Sequence, residues 1–480
     1  NCQIEIAILS IDGPGGEEGY FESGVSSIRE ALFLDIDDLS ERNRLMAHEF
    51  GQLIHHDNDP FEYIWIDEGL AGLSEFINFG GSAELEEEAN SWALNSSTSL
   101  RWWDGRVSDV GSSFLFSAYL ADKLGGPAAI RQMVSNPSLG GNGVENLARN
   151  PGPGSTPVGT SMSEIFANFS AALTLDSAQG AFGFSEIDLI DDCSTGGFCK
   201  GSISAENDQW SEAWQSSGHS VEGWGLKSFR FTQGDGYPLS IMVQPDRFGF
   251  EGAIISKESS SGTWTMEKLR IDSTDGRGTG LVHGFGNTTS EVLLLVWYNS
   301  LVDDCDFDFA NCGVLSGGNY PSGSFTVSAS QVTSPAEVSI DSIVGFDRDG
   351  DFLDDSVEIG MSVSSSAFSE SLSVEFSAFT NNSEHDSADF MISVGNSEPE
   401  ITSVWFTPPF TSDWSFTAKV RDITGELQDI AQSLPEQISN MKPVGSGSIS
   451  SNETQTWAQA YIFGGGYDSW GFGLQNGSFG

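Results

Sequence analysis

The sequence predicts a multidomain protein in which an α+β domain precedes two all-β sandwich domains. Its 480 residues suffice for about three or four domains of ordinary size, each with its own core. Up to about residue 185, apolar residues recur with helical spacing, whereas beyond about residue 215 they recur at every second position in short runs. This change of period predicts the change from helices to sandwiches.

The first domain, residues 1–185, is predicted to combine early strands with later helices. The segments IEIAILSI and EALFLDIDDL read as strands, and a helix is predicted from Leu45 to His56. Its apolar side is formed by Met46, Phe50, Leu53 and Ile54. Its polar side carries His48, Glu49 and Gln52. Further helices are predicted at about Ile64–Phe79, at SSFLFSAYLADKLGG and at SMSEIFANFSAAL, where Ser161 and Glu164 form a capping box.

The rest of the chain is predicted to be a linker, two sandwiches and a tail. The linker, residues 186–214, contains Cys193 and Cys199. The first sandwich, residues 215–335, is predicted from KSFRFTQG, LSIMVQPD, GAIISKES, EVLLLVWYNS and GSFTVSAS. The second, residues 336–442, is predicted from VEIGMSVSSS, LSVEFSAFT, DFMISVG, SVWFTPPF and WSFTAKVRD. Residues 443–480 are a Gly-, Ser- and aromatic-rich tail or the start of a further β module.

The charge of the chain restricts its partners. There are 69 acidic and 20 basic residues, which give a formal net charge of −49. Nucleic acid and anionic membrane surfaces would repel such a surface, so neither is an expected partner. No run of about 18 apolar residues occurs, so no transmembrane helix is predicted. A protein or surface polymer is the expected partner, with a homo-polymer as one form.

The cysteines predict an oxidising, extracellular environment. Cys193 and Cys199 form one close pair and Cys305 and Cys312 another, each in a loop, so two local disulfides are predicted, with free thiols as the alternative. Cys2 has no partner in this pattern. Asn-x-Ser/Thr sequons permit glycosylation of a secreted protein at Asn95, Asn168, Asn287, Asn381, Asn452 and Asn476.

The segment HEFGQLI resembles a helical zinc motif with one ligand changed. In the pattern His-Glu-x-x-His, two histidines four residues apart lie on one helix face and reach one Zn²⁺. Here His48 and Glu49 fit the pattern, but Gln52 stands where the second histidine belongs. A short loop and the segment WIDEGLAGLSE follow, which places Glu68 as a ligand from a second helix.

Together with IEIAILSIDGPGGEEGYF, LFLDIDDL, GSSFLFSAYLADKLGGPAAIRQMVSNP and MSEIFANFSAALTLD, these segments resemble the gluzincin metallopeptidases, most closely the hyicolysin-type family, over about residues 3–178. The resemblance implies a gluzincin-like (zincin) fold. By position it implies His48 as first zinc ligand, Glu49 as general base and Glu68 as third ligand.

Two departures from the family pattern predict lost peptidase activity. The Gln52 amide is a poor zinc ligand beside imidazole or carboxylate. Related sequences also tend to carry Tyr-Gly where this chain has Val110 and Gly111, and such a tyrosine would support the reaction intermediate. Tyr119, two turns further on, is interpreted as a core residue.

His55 and His56 do not replace the missing ligand in this interpretation. They lie about 10–12 Å along the helix from His48. We interpret them as polar residues at a helix end, where cationic side chains suit the helix dipole.

The segment DRDGDFLDDSVE predicts a calcium site. Its carboxylates have the spacing of an EF-hand-type loop, although Phe352 replaces the usual glycine and a strand is predicted to follow. The predicted ligands are Asp347, Asp349, Asp351, Asp355, Glu358 and the carbonyl of Leu353. The alternative is a solvated acidic turn.

These observations predict an extracellular modular protein with a degenerate, inactive metallopeptidase-like domain, Ca²⁺ as a bound ion, and Zn²⁺ bound weakly or not at all. The first sandwich resembles the pre-peptidase C-terminal type of β domain and the other sandwich resembles an immunoglobulin-like (Ig-like) domain, which implies accessory roles. One alternative is an active secreted zinc endopeptidase. Another is a structural subunit of a polymeric surface assembly.

Overall fold

The computed structural model divides the chain into two compact units. Unit 1 comprises Asn1–Gly236, Met242–Gly278 and His283–Ala329, and unit 2 comprises Tyr237–Ile241, Thr279–Val282 and Ser330–Gly480. The described residues are 4–11, 13, 19–21, 30–36, 42–103, 105–207, 214–271, 275–299, 305–306, 321–332, 336–347, 354, 356–365, 367, 370–380, 383–394, 399–408, 412–422, 427–434 and 436–438. The protein is multidomain and β-rich.

Unit 1 begins with a small sheet. Its strands are β1 (Ile4–Leu9), β2 (Gly19–Phe21) and β3 (Glu30–Asp35). They lie in the order β1-β3-β2, with β1 parallel and β2 antiparallel to β3. Both strands predicted from the sequence, β1 and β3, are therefore confirmed. The edge strand β1 exposes Ile4, Ile6 and Ile8.

Seven α-helices follow within the described residues. They are α1 (Arg42–Asn58), α2 (Ile64–Phe79), α3 (Ala83–Ala93), α4 (Val107–Leu124), α5 (Pro127–Ser135), α6 (Gly140–Arg149) and α7 (Met162–Leu175), with the short strand β4 (Trp102–Trp103) between α3 and α4. None of these helices has both the length and the apolar content needed to cross a bilayer. The predicted capping box at the start of α7 is confirmed, because Ser161 and Glu164 bond each other's backbone N–H groups.

The predicted apolar side of α1 is buried only in part: Leu53 is buried and Met46 half-buried, but Phe50 and Ile54 are not. Phe50 and Ile54 are each 40% exposed, whereas Arg44, Glu49 and His55 are buried with Leu45 and Leu53. The reason is that α1 packs on α2 through polar side chains that find polar partners there. Sequence periodicity assigns apolar residues to the buried side and cannot show such partners.

The strands of the first sandwich form two five-stranded sheets. Before and within them the chain forms β5 (Leu189–Ile190), a 3₁₀ turn (Cys193–Thr195), β6 (Phe198–Cys199), β7 (Ile203–Asn207), β8 (Trp214–Glu222), β9 (Leu226–Thr232), β10 (Leu239–Pro245), β11 (Phe250–Glu258), β12 (Trp264–Lys268), β13 (Arg270–Ile271), β14 (Gly278–Val282), β15 (Thr289–Tyr298), β16 (Cys305–Asp306) and β17 (Ser322–Gln331). The sheet orders are β13-β14-β10-β17-β8 and β12-β11-β15-β9-β7.

One hydrophobic core in unit 1 joins the helices to the second of these sheets. Phe166 of α7 packs against Trp224 and Trp297, with ring centroids 5.6 and 6.1 Å apart. Leu293 and Leu295 of β15 belong to the same core. The strand is buried without interruption from Val292 to Tyr298, which accounts for its continuous apolar run, because both faces of a covered strand are apolar.

Unit 2 contains a second sandwich. Its strands are β18 (Glu337–Phe346), β19 (Ser356–Ser364), β20 (Glu370–Thr380), β21 (Ser383–Val394), β22 (Glu400–Phe406), β23 (Ser412–Arg421), β24 (Leu427–Gln432) and β25 (Glu436–Ile438). They form one sheet of order β18-β19-β22 and another of order β21-β20-β23-β24, with β25 pairing β23. Alternate residues of both sheets, such as Ile359 and Phe376, share one core.

Candidate functional site

A row of polar pairs connects α1 to α2. Arg44 Nη1 donates to Glu75 Oε2 at 3.1 Å, His48 Nε2 lies 3.2 Å from Glu68 Oε2, and His55 Nδ1 lies 2.8 Å from Asp67 Oδ1. Partner numbers fall along α2 as residue numbers rise along α1, so the two helices are antiparallel. The row places the residues singled out by sequence, His48, Gln52 and Glu68, at its centre.

A glycine sets the close approach of these two helices. A Cβ added to Gly51 would lie 3.0 Å from Ser74 Cβ and 3.4 Å from Ala71 Cα, tighter than most real contacts of a β-carbon. Ser74 Oγ also donates to the Ala47 carbonyl at 2.9 Å. Because Gly51 directly precedes Gln52, this close contact also fixes the position along α2 that Gln52 faces.

At the predicted zinc-ligand positions, Glu68 bonds both His48 and Gln52. Gln52 Nε2 donates to Glu68 Oε1 at 3.0 Å and lies 3.4 Å from His48 Nε2. Glu68 thus holds Gln52 with one carboxylate oxygen and His48 with the other. The carboxylate of Glu68 therefore accepts from a positively charged imidazole and from an amide N–H, without a metal cation.

The charges around His48 favour its protonated form. Burial lowers the pKa of His48, but the bond to Glu68 and the negative charges of Glu68, Glu49 and Glu75 outweigh burial and raise this pKa to about 9. A protonated imidazole has no lone pair for a metal. His48 and Glu68 therefore form an ion pair near neutral pH.

The donor set does not fit a zinc centre with three strong protein ligands. His48 and Glu68 supply an imidazole and a carboxylate, but the third residue, Gln52, turns its amide nitrogen toward Glu68. An amide oxygen is in any case a weak ligand for Zn²⁺. Within the described part of the chain, no cluster of three or more His, Cys, Asp or Glu has a metal-binding arrangement.

Acidic residues surround this trio. Glu49 is buried, and its negative charge contributes to the raised pKa of His48. Glu75 accepts from Arg44 and from Ser82 Oγ at 3.0 Å, and Arg44 also pairs with Glu84. Sequence reasoning assigned no role to Arg44 or Glu75, although Arg44 lies four residues before His48 and Glu75 ends the segment WIDEGLAGLSE.

His55 and His56 lie in the last turn of α1, which confirms their prediction as helix-end residues, and each also contacts a different element. His55 is buried and bonds Asp67, the neighbour of Glu68 in sequence. Burial raises the pKa of Asp67, while the bond to His55 opposes that shift. The His56 ring lies 5.4 Å from the ring of Phe21 on β2. Both histidines therefore have packing roles at the end of α1.

Val110, Gly111 and Tyr119 are packing residues of α4. A Cβ on Gly111 would lie 1.9 Å from the Glu88 carbonyl oxygen, so the contact of α4 with α3 requires glycine there. Val110 packs against the main core of unit 1. Tyr119 is buried and donates to the Ala181 carbonyl at 3.0 Å, which confirms its prediction as a core residue.

The structure reaches only part of the predicted calcium loop. Asp347 follows β18 and Glu358 lies in β19, opposite Val344. The strand predicted after the loop is therefore confirmed. Asp349, Asp351, Leu353 and Asp355 lie outside the described residues, so the calcium site stays a prediction.

One of the two predicted cysteine pairs is confirmed. Cys193 and Cys199 are at disulfide distance, with Cα atoms 5.6 Å apart. The side chain of Cys305, and all of Cys312 and Cys2, lie outside the described residues.

The described sequon asparagines differ in availability. The Asn168 amide donates to the carbonyls of Val158 and Glu164, whereas Asn287 is exposed in a turn. Asn95 Oδ1 accepts a bond from Ser97 Oγ. The sequons at Asn381, Asn452 and Asn476 lie outside the described residues.

Comparisons with known proteins leave the family of the chain open. No family model and no curated protein matches it. Matches among solved structures include a β-glucuronidase from Bacteroides uniformis, with 15% identity over 44% of this chain and 26% of that chain and a TM-score of 0.16. Another is the CARDB domain of a Pyrococcus furiosus protein, with 16% identity over 22% of this chain and 86% of that one and a TM-score of 0.16. At such scores these similarities support no conclusion about fold or function.

Proposed function

We propose that unit 1 carries a degenerate gluzincin-like metallopeptidase domain without peptidase activity, within an extracellular modular protein that serves in binding or surface structure. The observation that carries this proposal is the bond from Gln52 to Glu68 at 3.0 Å. This bond places an amide group at the position of the second zinc ligand and directs the amide N–H to Glu68, the residue at the position of the third ligand. The disulfide-distance pair Cys193 and Cys199 supports an oxidising location.

Metal binding would have to break these contacts before it formed new ones. The Gln52 amide would have to leave Glu68, and His48 would have to lose the proton that its acidic neighbours stabilise. The Gln52 amide oxygen would then form only a weak bond to the zinc ion. Each step lowers the affinity for zinc relative to a site with two histidines.

An active zinc endopeptidase is the competing function, and a specific feature favours it. His48 Nε2 and Glu68 Oε2 converge to 3.2 Å from two antiparallel helices, and Glu49 follows His48 directly. An enzyme could use this pair if solvent or substrate supplied a further ligand.

Hydrolysis of casein by the full chain, purified in zinc-containing buffer, separates the two functions. The control is Glu49→Gln, which removes the general base that an active enzyme would need. We expect the wild type to hydrolyse casein no faster than Glu49→Gln. Hydrolysis that disappears in Glu49→Gln would refute the proposal and establish the endopeptidase.

A further inference from the structure

Unit 1 contains a polar pocket built by other elements than α1 and α2. Its volume is about 450 Å³, within the range of small-molecule sites. One wall contains Leu94, which follows α3, and Leu175, which ends α7. Other lining residues, among them Arg230, Lys257 and Glu291, belong to the sheet β12-β11-β15-β9-β7.

The sheet contributes a row of charged side chains. In the strand register, Lys257 on β11 lies opposite Trp264 on β12 and Glu291 on β15. Glu291 in turn lies opposite Thr232 on β9. Arg230 is two residues before Thr232 and therefore lies on the same face of the sheet. Glu291 bridges the two cations, with Arg230 Nε at 2.8 Å and Lys257 Nζ at 3.8 Å. Lys257 Nζ also lies 5.1 Å from the centre of the Trp264 ring.

A third cation, Lys200, comes from a backbone segment that is held in place. The N–H groups of Lys200, Gly201 and Ser202 donate to the carbonyls of Ile190, Leu173 and Ala93 at 2.9 to 3.1 Å. These three acceptors belong to different elements, and Cys199 pairs with Cys193 just before the segment. The wall is therefore preorganised, which lowers the entropic cost of binding.

The side chain of Lys200 can exchange its present partner. Lys200 Nζ lies 3.3 Å from Asp191 Oδ1, but the Asp191 side chain is 88% exposed. A pair with such a largely exposed carboxylate contributes little to stability. A ligand anion could therefore replace Asp191 at small cost.

The pocket is electropositive in a protein that is strongly acidic. Lys200, Arg230 and Lys257 against Asp191 and Glu291 give 3 − 2 = +1, while the whole chain carries −49. Two of the seven lysines of the chain line this one pocket. The excess of one positive charge complements a singly charged anion.

We propose that this pocket binds a small hydroxylated molecule that carries one oxyanion group, a carboxylate or a sulfate, and that Lys200 contacts this group. Ser177 and Ser202 line the pocket as well, and serine hydroxyls can bond the hydroxyls of such a ligand. The site is independent of His48, Gln52 and Glu68.

Isothermal titration of the full chain at low salt tests the proposal with D-galacturonate, D-galactose 6-sulfate and D-galactose. We expect saturable binding of one or both anions, weaker at high salt, and none of the neutral sugar. Whichever anion binds more tightly identifies the oxyanion. Absence of saturable heat from both anions, or equal binding of galactose, would overturn the proposal.

Two variants with opposite expected effects locate the site. Lys200→Gln should weaken anion binding about tenfold or more through loss of one charged contact. Asp191→Asn should strengthen binding, because it removes the competing carboxylate. The matched control is Lys227→Gln, which also removes one lysine charge. Lys227 lies on β9 three residues before Arg230, so its side chain is on the opposite face of the sheet from the pocket. Melting temperatures verify folding, and equal losses in Lys200→Gln and Lys227→Gln would contradict the assignment.

Discussion

At the residue scale, burial changes the protonation of individual acids near α2. Glu62 Oε1 accepts from the N–H groups of Tyr63 and Gly140, both at 2.7 Å, yet burial raises the pKa of Glu62 from 4.5 to about 7. The folded state therefore holds this proton more tightly than the unfolded state. The resulting stability is fully present below pH 4.5 and is lost as the pH rises through about 7.

Replacement of Glu62 by glutamine should remove this pH dependence. The new amide keeps an oxygen that can accept both N–H groups but carries no charge, so Glu62→Gln should gain stability over the wild type as the pH rises. We expect the gain at about pH 8 to exceed that at about pH 5.5 by on the order of 1 to 2 kcal/mol. Urea unfolding at both pH values measures it, with Glu87→Gln on the exposed side of α3 as control. A difference between the two variants that does not change with pH would contradict the explanation.

At the element scale, α1 shows what periodicity can and cannot predict. The helix itself follows from the sequence, and so do α2, α4 and α7, because each carries an apolar stripe or a capping signal. The buried side of α1 does not follow, since Arg44, His48 and His55 find their partners 31, 20 and 12 residues away on α2. The trio of His48, Gln52 and Glu68 was predictable only from motif spacing.

Two adjacent apolar residues test the observed orientation of α1. Leu53 is 3% exposed and Ile54 is 40% exposed. Leu53→Ala should lower the free energy of unfolding by about 2 to 5 kcal/mol, as expected for a buried leucine, and Ile54→Ala should cost less than about 1 kcal/mol. Chemical denaturation of both variants provides the measurement. Similar losses in the two would support the apolar side predicted from sequence instead.

At the scale of the whole molecule, the helices and one sheet of unit 1 share a core. The contact of Phe166 with Trp297 joins residues 131 positions apart, from 297 − 166, so no local pattern reveals it. The predicted domain boundaries near residues 185 and 215 stay predictions. The sandwich strands were predictable because their period of two is local, whereas their packing partners are not.

Calorimetry of core variants tests this shared core. Phe166→Ala in α7 and Leu293→Ala in β15 should lower the midpoint temperature of the same unfolding transition, because both residues belong to one cluster. Each substitution should cost about 2 to 5 kcal/mol. Phe376→Ala, in the core of unit 2, should lower the midpoint temperature of a different transition. If Phe166→Ala and Leu293→Ala shift separate transitions, the helices and the sheet do not unfold together.

Zinc affinity in a series at position 52 tests the central claim that Gln52 closes the site. Competition titration with a chromophoric chelator should give no tight zinc binding for the wild type, because the amide donates to Glu68 and offers only a weak ligand atom. Gln52→His should bind one zinc per chain, since it restores two histidines four residues apart. Gln52→Ala, which removes the amide without adding a ligand, should remain weak. Tight, stoichiometric zinc in the wild type that is lost in His48→Ala would contradict the account.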